Sequence, residues 1–349
     1  MAERAGSIRE LKAPGAGEWV ELSDDRRRLL LYGGPITDAA GTLEQAGWEE
    51  FEVLSTERAL VEAPDLREAA QRVHLVPHGR VDEISASLVD EAGSDRLVAL
   101  GGGRVIDTTK AVASISRAEV AAIPTTLSGA PITAIHRLPA GREAEVGGLT
   151  RPSLVVGYAD AMTSAPEPQL RATAMNALAH GADSLYTPLA DSASREAALR
   201  GGELLAGALD QAPETRDRAA LALGALLCAI AIDRAGFALH HVLGQTAVRV
   251  LGVPHAETYA ALLPHTMDAM RDRAPAEIEA LARALGTDPD RIGERIAELG
   301  GHRRLGELGA DRSRFDDVLD GAMARPELSR MTPGEVTRSD LATILDAAW

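Results

Sequence analysis

Three things are scarce in this chain: cysteine, aromatic side chains and positive charge. The single cysteine, Cys228, excludes an intramolecular disulfide framework and fits a reducing compartment. Aromatic residues make up only 3% of the chain, so its core must be built chiefly from Ala, Leu, Val and Ile. The formal net charge is -16, and because an acidic surface repels polyanions, we expect no nucleic acid partner and no contact with an anionic membrane.

Long apolar runs are missing as well. No stretch of the sequence has the length of an uncharged membrane span, and the polar start MAERAGSIRE does not have the pattern of a signal peptide. These features predict a cytoplasmic protein. Cys228 has apolar neighbours, which indicates a buried and inert thiol rather than a nucleophile.

The residues that are present suffice for two domains. The chain has 349 residues, of which 45% are hydrophobic, and this length indicates about two cores. Between residues 28 and 123, short apolar segments alternate with helical patterns, which predicts an α/β domain with a doubly wound, mostly parallel sheet. From residue 165 onward the pattern is helical. We therefore expect an α/β domain over residues 1–164, with 1–27 as a loose arm or edge strand, and an all-α domain over 165–349.

The segment Leu97–Ala111 carries the first chemical signal, because it reads LVALGGGRVIDTTKA. An apolar strand, a three-glycine turn and a helix follow one another, an arrangement that brings backbone N–H groups close to a phosphate. The pattern is not the GxGxxG dinucleotide fingerprint. Taken alone, it is equally compatible with a tight turn that binds nothing.

Histidines in the helical half carry the second signal. His180 follows Asn176 by four residues, so the two side chains share one helix face. The pair His240–His241 and then His255 come later in the chain. Such spacing can build a metal site, although each histidine alone is as readily a core or solvated residue.

Several separated motifs resemble one known family in the right order. GGGRVIDTTK (Gly101–Lys110) resembles the GGGSxxDxxK signature of iron-type, group III alcohol dehydrogenases, and IPTTLSGA (Ile123–Ala130) resembles their second cofactor loop. The resemblance extends from about residue 28 to 349. It implies a dehydroquinate synthase-like fold, with an α/β dinucleotide-binding domain and an all-helical catalytic domain, and it implies a homodimer.

Within this family the chain is most similar to the maleylacetate reductase branch. Asn176 stands where metal-dependent members have Asp, and PHAETY (254–259) resembles the PHAETH of the branch. Such enzymes reduce the carbon–carbon double bond of maleylacetate, an unsaturated oxo-acid, to 3-oxoadipate with NADH or NADPH and no metal. The loss of an anionic ligand favours metal independence here, although three neutral histidines can still hold zinc.

The resemblance also assigns roles to particular residues. His180, His241 and His255 take the three histidine positions of the metal ligands, and without a metal they would polarise or protonate the substrate or hold its carboxylates. The cofactor residues would be those of the glycine turn, the second loop and the end of the second strand. They are Gly101, Gly102, Gly103, Arg104, Asp107, Thr125, Thr126, Ser128 and Ser55.

Three of these positions have more specific expectations. Arg104 replaces the usual Ser, and it either clamps the pyrophosphate or crowds the loop. Asp107 is expected near the nicotinamide. Ser55 ends the second strand where a carboxylate would select NAD, so tolerance of NADPH is expected.

Departures from the family pattern leave alternatives open. The second helix histidine of the family falls on Gln245, which orients a substrate but is no acid at neutral pH. A register shifted by four would instead place His241 there and Phe237 at the ligand position. The hypotheses are therefore a maleylacetate reductase of aromatic catabolism, a reductase of the same fold acting on another enone or oxo-acid, and a non-redox protein with a degenerate nucleotide site.

Overall fold

The computed structural model describes residues 3–4 and 8–349, which fall into two compact units. The first consists of Leu11–Ser164 together with residues 3–4, and the second consists of Ala165–Trp349 together with residues 8–10. Residues 8–10 were expected in the α/β domain, but they belong to the second unit. The short 3-10 helix Ile8–Glu10 belongs to the helical unit, where Arg9 Nε lies 3.3 Å from Glu196 Oε1.

An eight-stranded sheet forms the centre of the first unit. Its strands are β1 (Glu3–Arg4), β2 (Trp19–Glu21), β3 (Arg28–Tyr32), β4 (Glu52–Ser55), β5 (Arg72–Leu75), β6 (Arg96–Gly101), β7 (Glu119–Pro124) and β8 (Leu154–Tyr158). Their order across the sheet is β1-β2-β3-β8-β7-β6-β4-β5. β2 and β3 are antiparallel, and the other neighbouring pairs are parallel. The predicted mostly parallel sheet is confirmed.

Helices cover both faces of this sheet. They are α1 (Ala39–Gln45), α2 (Glu57–Glu62), α3 (Pro64–Ala69), α4 (Val81–Leu88), α5 (Gly103–Ser116) and α6 (Ala159–Met162), with a 3-10 turn at Glu143–Glu145. Successive residues of β6 point to opposite sides, so Val98 and Leu100 lie in one core cluster while Leu97 and Ala99 lie in another. Two cores, one on each face, are what a doubly wound sheet requires.

Two features of the sheet go beyond the sequence analysis. The central strand β8 was not predicted, because its apolar run is short and is interrupted by Gly157. A Cβ at Gly157 would lie 3.0 Å from Leu31 Cδ1 and 3.1 Å from Met162 Sδ, so the glycine makes room for close packing. The arm over residues 1–27 contributes β1 at the edge of the sheet and β2 beside it, while its residues 1–2 and 5–7 lie outside the described part of the chain.

The second unit is built from helices, as expected. They are α7 (Glu167–Leu185), α8 (Ser192–Leu209), α9 (Arg218–Ala235), α10 (Leu239–Leu251), α11 (His255–Met270), α12 (Pro275–Ala284), α13 (Ile292–Gly300), α14 (Phe315–Met323), α15 (Pro326–Met331) and α16 (Arg338–Ala347), with 3-10 turns at Pro289–Arg291, Gly306–Leu308 and Arg312–Arg314. A Cβ at Gly201 would lie 2.6 Å from Cys228 Sγ, so α8 and α9 approach closely. Cys228 is buried and unpaired, which confirms its prediction, and burial raises the pKa of its thiol to about 12.

The break between α9 and α10 bends the chain by 101°. Within the described residues, no single helix has the length and apolar character needed to cross a membrane, and only this bent pair meets both criteria together. The bend begins at Gly236, whose φ is +73°, a conformation that favours glycine. It brings the start of α10, with its histidine pair, against α7.

Candidate active site

The first candidate region lies at the carboxyl ends of β4 and β6 in the first unit. The chain continues from β4 to β5 on one side and from β6 to β7 on the other, so its winding direction reverses between these two neighbouring strands. Ligands of open α/β sheets bind outside the carboxyl ends of strands at such a reversal. The three-glycine turn connects β6 to α5 at this point.

The glycine turn and the second predicted loop lie directly against each other. A Cβ at Gly102 would lie 3.1 Å from Thr126 Cγ2, and a Cβ at Gly103 would lie 3.1 Å from Ser128 Oγ. Gly101 has a φ of +157°, which side-chain-bearing residues rarely adopt. Each glycine therefore serves close approach or backbone conformation, and the two loops form one surface.

Polar atoms at this surface are left for a ligand. Ser128 Oγ and Arg104 Nε are buried without a hydrogen-bond partner among the described residues. Arg104 stands in the first turn of α5, and its Nη1 lies 3.2 Å from His78 Nδ1. The N-cap residue Gly102 has no side chain to cap the helix, so its first N–H groups remain available to an anion.

Asp107 is held by a lysine that the sequence analysis left out of the site. The Nζ of Lys110 lies 2.7 Å from Asp107 Oδ1. The same ammonium donates to the carbonyls of Ala130 (3.1 Å), Thr133 (3.0 Å) and Ile135 (2.8 Å). Lys110 therefore fixes the segment after the second loop and neutralises Asp107. Its place as the last residue of the glycine motif was the signal that sequence reasoning could have used.

The remaining predicted cofactor residues differ in their accessibility. Ser55 is fully buried, and its hydroxyl donates to the Leu100 carbonyl at 2.8 Å, so it ties β4 to β6 instead of facing a ligand. This corrects the expectation for Ser55. The side chains of Thr125 and Thr126 are half-buried at the loop, where Thr125 N–H donates to Gly101 O at 3.0 Å.

The second candidate region lies in the second unit, where α7, α10 and α11 meet. The rings of His180 and His241 stack with their centroids 5.1 Å apart and 21° between their planes. His255 is exposed at the first residue of α11, and its ring packs on that of Tyr259 at 4.4 Å. The Tyr259 ring in turn lies 5.1 Å from His241. The structure therefore buries two of the predicted histidines together and leaves the third at the rim.

Asp183 of α7 organises this cluster, although the sequence analysis did not single it out. Its buried carboxylate accepts the backbone N–H groups of Ala238 (2.7 Å), His240 (3.3 Å) and His241 (3.2 Å). Ala238 is the N-cap residue of α10 and has no polar side chain, so Asp183 caps that helix from another one. The carboxylate also accepts the His241 Nδ1–H at 2.9 Å and the Tyr186 hydroxyl.

These donors keep Asp183 ionised. Burial raises the pKa of its carboxyl, but the hydrogen bond and charge of His241, with smaller contributions from His240 and Tyr186, lower it to about 2. The signal available in the sequence was a charged residue three positions after His180 in an otherwise apolar, Ala-rich helix. A buried charge in such a place is retained when it is paired and hydrogen-bonded.

Several polar atoms in the cluster lack a protein partner. Asn176 Oδ1, His180 Nδ1, His240 Nε2 and His241 Nε2 are buried and form no hydrogen bond with the described residues. Burial lowers the pKa of His180 well below 6.5 and that of His240 to about 3, so both rings are neutral at neutral pH. Unpartnered polar atoms are rare in protein interiors, and four of them in one cluster indicate a ligand pocket.

The resemblance equates four positions with the ligands of a metal ion, namely Asn176, His180, His241 and His255. In residues 3–4 and 8–349, no group of three or more His, Cys, Asp or Glu side chains is placed to hold one. The rings of His180 and His241 are stacked, with 21° between their planes. Asn176 offers a neutral oxygen where a carboxylate would be needed.

Gln245 lies one turn after His241 on α10, and a distant arginine binds it. Its Oε1 accepts a hydrogen bond from Arg325 Nη1 at 2.7 Å. Arg325 was not predicted, because 80 residues separate it from Gln245 and no motif marks it. The stacking of His241 on His180 favours the ungapped register, in which Gln245 takes the position of the second helix histidine.

Family models match both parts of the chain. The model described as Fe-containing alcohol dehydrogenase family, C-terminal, matches residues 171–349. The model described as iron-containing alcohol dehydrogenase matches residues 24–136. Together they span both candidate regions.

Individual proteins show the same similarity. The chain is 29% identical over 281 residues to maleylacetate reductase 1 of Rhodococcus opacus, covering 77% of each chain. It is 30% identical over 363 residues to maleylacetate reductase 2 of Cupriavidus pinatubonensis, covering 94% of this chain and 98% of the relative. The crystal structure of maleylacetate reductase from Agrobacterium tumefaciens superposes with a TM-score of 0.81 at 27% identity, covering 95% of this chain and 97% of that one. The resemblance drawn from the motifs is confirmed.

Proposed function

The chain belongs to the iron-containing alcohol dehydrogenase family and is an oxidoreductase similar to maleylacetate reductases, and from this premise we propose that it reduces the carbon–carbon double bond of maleylacetate. Enzymes of this type use NADH or NADPH. The observation that carries the proposal is the pocket of unpartnered buried atoms around the Asp183–His241 pair.

The reaction needs a hydride, an electron sink and a proton. The glycine turn Gly101–Gly103 and the loop with Ser128 would hold a nicotinamide nucleotide, which would supply the hydride. The substrate carbon β to the ketone accepts it as the π pair of the double bond moves to the ketone oxygen, which gives an enolate. The enolate then takes one proton at its α carbon, and 3-oxoadipate results. The protein has to stabilise the enolate oxygen and deliver that proton.

His241 is the residue that we assign to the proton. Its Nδ1–H is donated to Asp183 at 2.9 Å, which fixes the ring orientation and leaves Nε2 for the substrate. The ionised carboxylate stabilises the protonated imidazole, as it does in other carboxylate–histidine pairs. His180 and Asn176 offer neutral hydrogen-bonding groups beside it, and His255 stands at the rim.

Metal independence and use of either nicotinamide are part of the proposal. The stacking of His180 on His241 and the neutral side chain of Asn176 support metal independence. For the use of either nicotinamide, β4 ends at Ser55 and Thr56 follows it, and neither carries a charge that repels a 2′-phosphate. Thr56 accepts the Ala59 N–H at 3.3 Å as the cap of α2. The next carboxylate, Glu57, is bound by Arg67 Nη2 at 3.1 Å.

The test is oxidation of NADH and of NADPH by the purified protein with maleylacetate, with and without a chelator. We expect turnover with both nucleotides, unchanged by the chelator. Nucleotide binding without turnover would refute maleylacetate as the substrate. Loss of activity with the chelator, restored by zinc or iron, would refute metal independence. Absence of nucleotide binding would refute the assignment as a reductase. Light scattering on the same sample tests the homodimer implied by the family.

A further inference from the structure

A dicarboxylate substrate is held best by a permanent positive charge, and an arginine guanidinium supplies one. Asp183 places a carboxylate within the histidine cluster, so the charges of the substrate need a cation nearby to offset them. An arginine of the helical unit is the candidate for this role.

Arg325 stands beside this cluster. It precedes α15, and its Nη1 donates to Gln245 on the helix that carries His241. Its guanidinium carbon lies 5.7 Å from the centroid of the Phe237 ring, and that ring lies 5.9 Å from the ring of His241. One aromatic ring thus separates the cation from the proposed proton donor. The Arg325 side chain is 20% exposed, so it is largely desolvated and still reachable.

The charge of Arg325 acts on the cluster. Burial raises the pKa of the Tyr259 hydroxyl, and Asp183 raises it further, whereas the charge of Arg325 and a hydrogen bond with Gln245 act in the opposite direction. Tyr259 packs against both His240 and His241. The arginine is therefore electrostatically coupled to the rings that form the pocket.

Arg325 also retains hydrogen-bonding capacity. A guanidinium has five N–H groups. Glu327 accepts from Nε at 3.3 Å and from Nη2 at 3.1 Å, and Gln245 accepts from Nη1 at 2.7 Å. The other two N–H groups have no acceptor within the described part of the chain. A carboxylate is the partner that the planar fork of an arginine binds best.

We infer that Arg325 anchors one carboxylate of the substrate, with Gln245 as the positioning residue that aims the guanidinium and Phe237 as the apolar wall between this carboxylate and His241. The inference rests on the proposed function and makes it more specific. It gives Gln245 a role that its chemistry allows, since an amide accepts a hydrogen bond but does not act as an acid at neutral pH. It also predicts that the enzyme selects dicarboxylates.

The alternative is that Arg325 only ties α15 to α10. A matched control separates the two. Arg330 is exposed on the same short helix, so Arg330→Met removes the same charge without touching Gln245. Glu327→Gln removes the carboxylate that competes with the substrate for Arg325. If Arg325 were purely structural, this change would not be expected to improve ligand binding.

Binding of maleate, a dicarboxylate that needs no turnover, is measured by calorimetry on the full chain. Thermal unfolding confirms that each variant is folded. We expect Arg325→Met to weaken binding about tenfold or more, which is the usual worth of a charge-assisted hydrogen bond, with Arg325→Lys between it and the wild type. Arg330→Met should match the wild type, and Glu327→Gln should bind maleate more tightly. Absence of maleate binding to the wild type, or equal binding by Arg325→Met, overturns the inference.

Steady-state kinetics with maleylacetate separate this inference from the proposed function. We expect Arg325→Met to raise KM more than it lowers kcat, because the contact is made in both the ground state and the transition state. Turnover of maleylacetate with an unchanged KM in Arg325→Met overturns the anchor and leaves the function standing. Maleate binding that depends on Arg325, without turnover of maleylacetate by the wild type, overturns the function and leaves the anchor standing.

Discussion

The Nδ1 of His241 lies 2.9 Å from Oδ2 of Asp183, and the same carboxylate caps the helix that carries His241. One buried charge thus fixes both the ring and the helix on which the ring stands. Because these contacts involve backbone and side chain together, the orientation of His241 and the start of α10 depend on each other. The position of the proposed proton donor, His241, is therefore set by the contact between α7 and α10.

Replacing Asp183 by Asn should affect both stability and catalysis. The amide keeps the size but loses the charge, so we expect a loss of about 3 kcal/mol or more in unfolding free energy and about a hundredfold lower kcat. Urea unfolding and steady-state kinetics measure the two effects. Asp191→Asn is the control, since Asp191 caps α8 through Ser194 N at 2.7 Å. Asparagine caps a helix about as well as aspartate, so this change should cost less than about 1 kcal/mol, from the exposed ion pair with Arg234, and leave kcat unchanged. An Asp183→Asn enzyme with the wild-type kcat would refute the proposed role of the Asp183–His241 pair in proton delivery.

His241 is buried and His255 is exposed, so replacing them should change different kinetic parameters. His241→Gln removes the group assigned to proton delivery, and we expect kcat to fall by about 10²-fold or more. His255 is exposed at the rim, so His255→Gln should act mainly on KM. Steady-state kinetics of both variants on one substrate measure the difference. Equal losses of kcat in the two variants would show that depth in the cluster does not decide the role.

The glycine turn should tolerate no side chain at Gly103. An added Cβ would lie 3.1 Å from Ser128 Oγ, where the second loop has to give way, and overpacking of this kind costs about 1–3 kcal/mol. We expect Gly103→Ala to bind NADPH roughly tenfold more weakly in a fluorescence titration. Gly207→Ala is the control, since among the described residues nothing lies within 4 Å of a Cβ at this position of α8. That variant should bind like the wild type and gain roughly 0.5–1 kcal/mol in stability.

Acidification should destabilise the protein through His240. Its pKa falls from the ordinary 6.5 to about 3 in the folded state, chiefly because burial opposes its charge. The unfolded chain therefore binds a proton that the folded chain does not, and the stability from the neutral ring, complete above pH 6.5, is lost as the pH falls toward 3. The slope for one such group is about 1.4 kcal/mol per pH unit. Urea unfolding between pH 7 and 4 should show that the unfolding free energy of His240→Gln falls less steeply with falling pH than that of the wild type. Parallel pH dependences would contradict the assignment of this effect to His240.

Much of the chemistry could be predicted from local sequence. The glycine turn was recognisable because a strand, three glycines and a helix adjoin in the chain. Asn176 and His180 share a helix face by their spacing alone. The strand β8 was missed because a short apolar run with Gly157 has no period that distinguishes it from a loop. Ser55 was misjudged because its hydroxyl is taken by Leu100 of the neighbouring strand, a contact that only sheet pairing creates.

The sequence by itself determined the family, the alternation of strands and helices that indicates an α/β domain before an all-α one, and the residue types available for chemistry, because these follow from motifs and from periodicities of a few residues. Only the tertiary structure decided which atoms face a ligand. Asp183 meets His241 across 58 positions and Arg325 meets Gln245 across 80, and no local pattern encodes either contact. Such pairs form only when the packing of distant helices brings their side chains together, so both the proposed proton donor and the proposed carboxylate anchor depend on the fold.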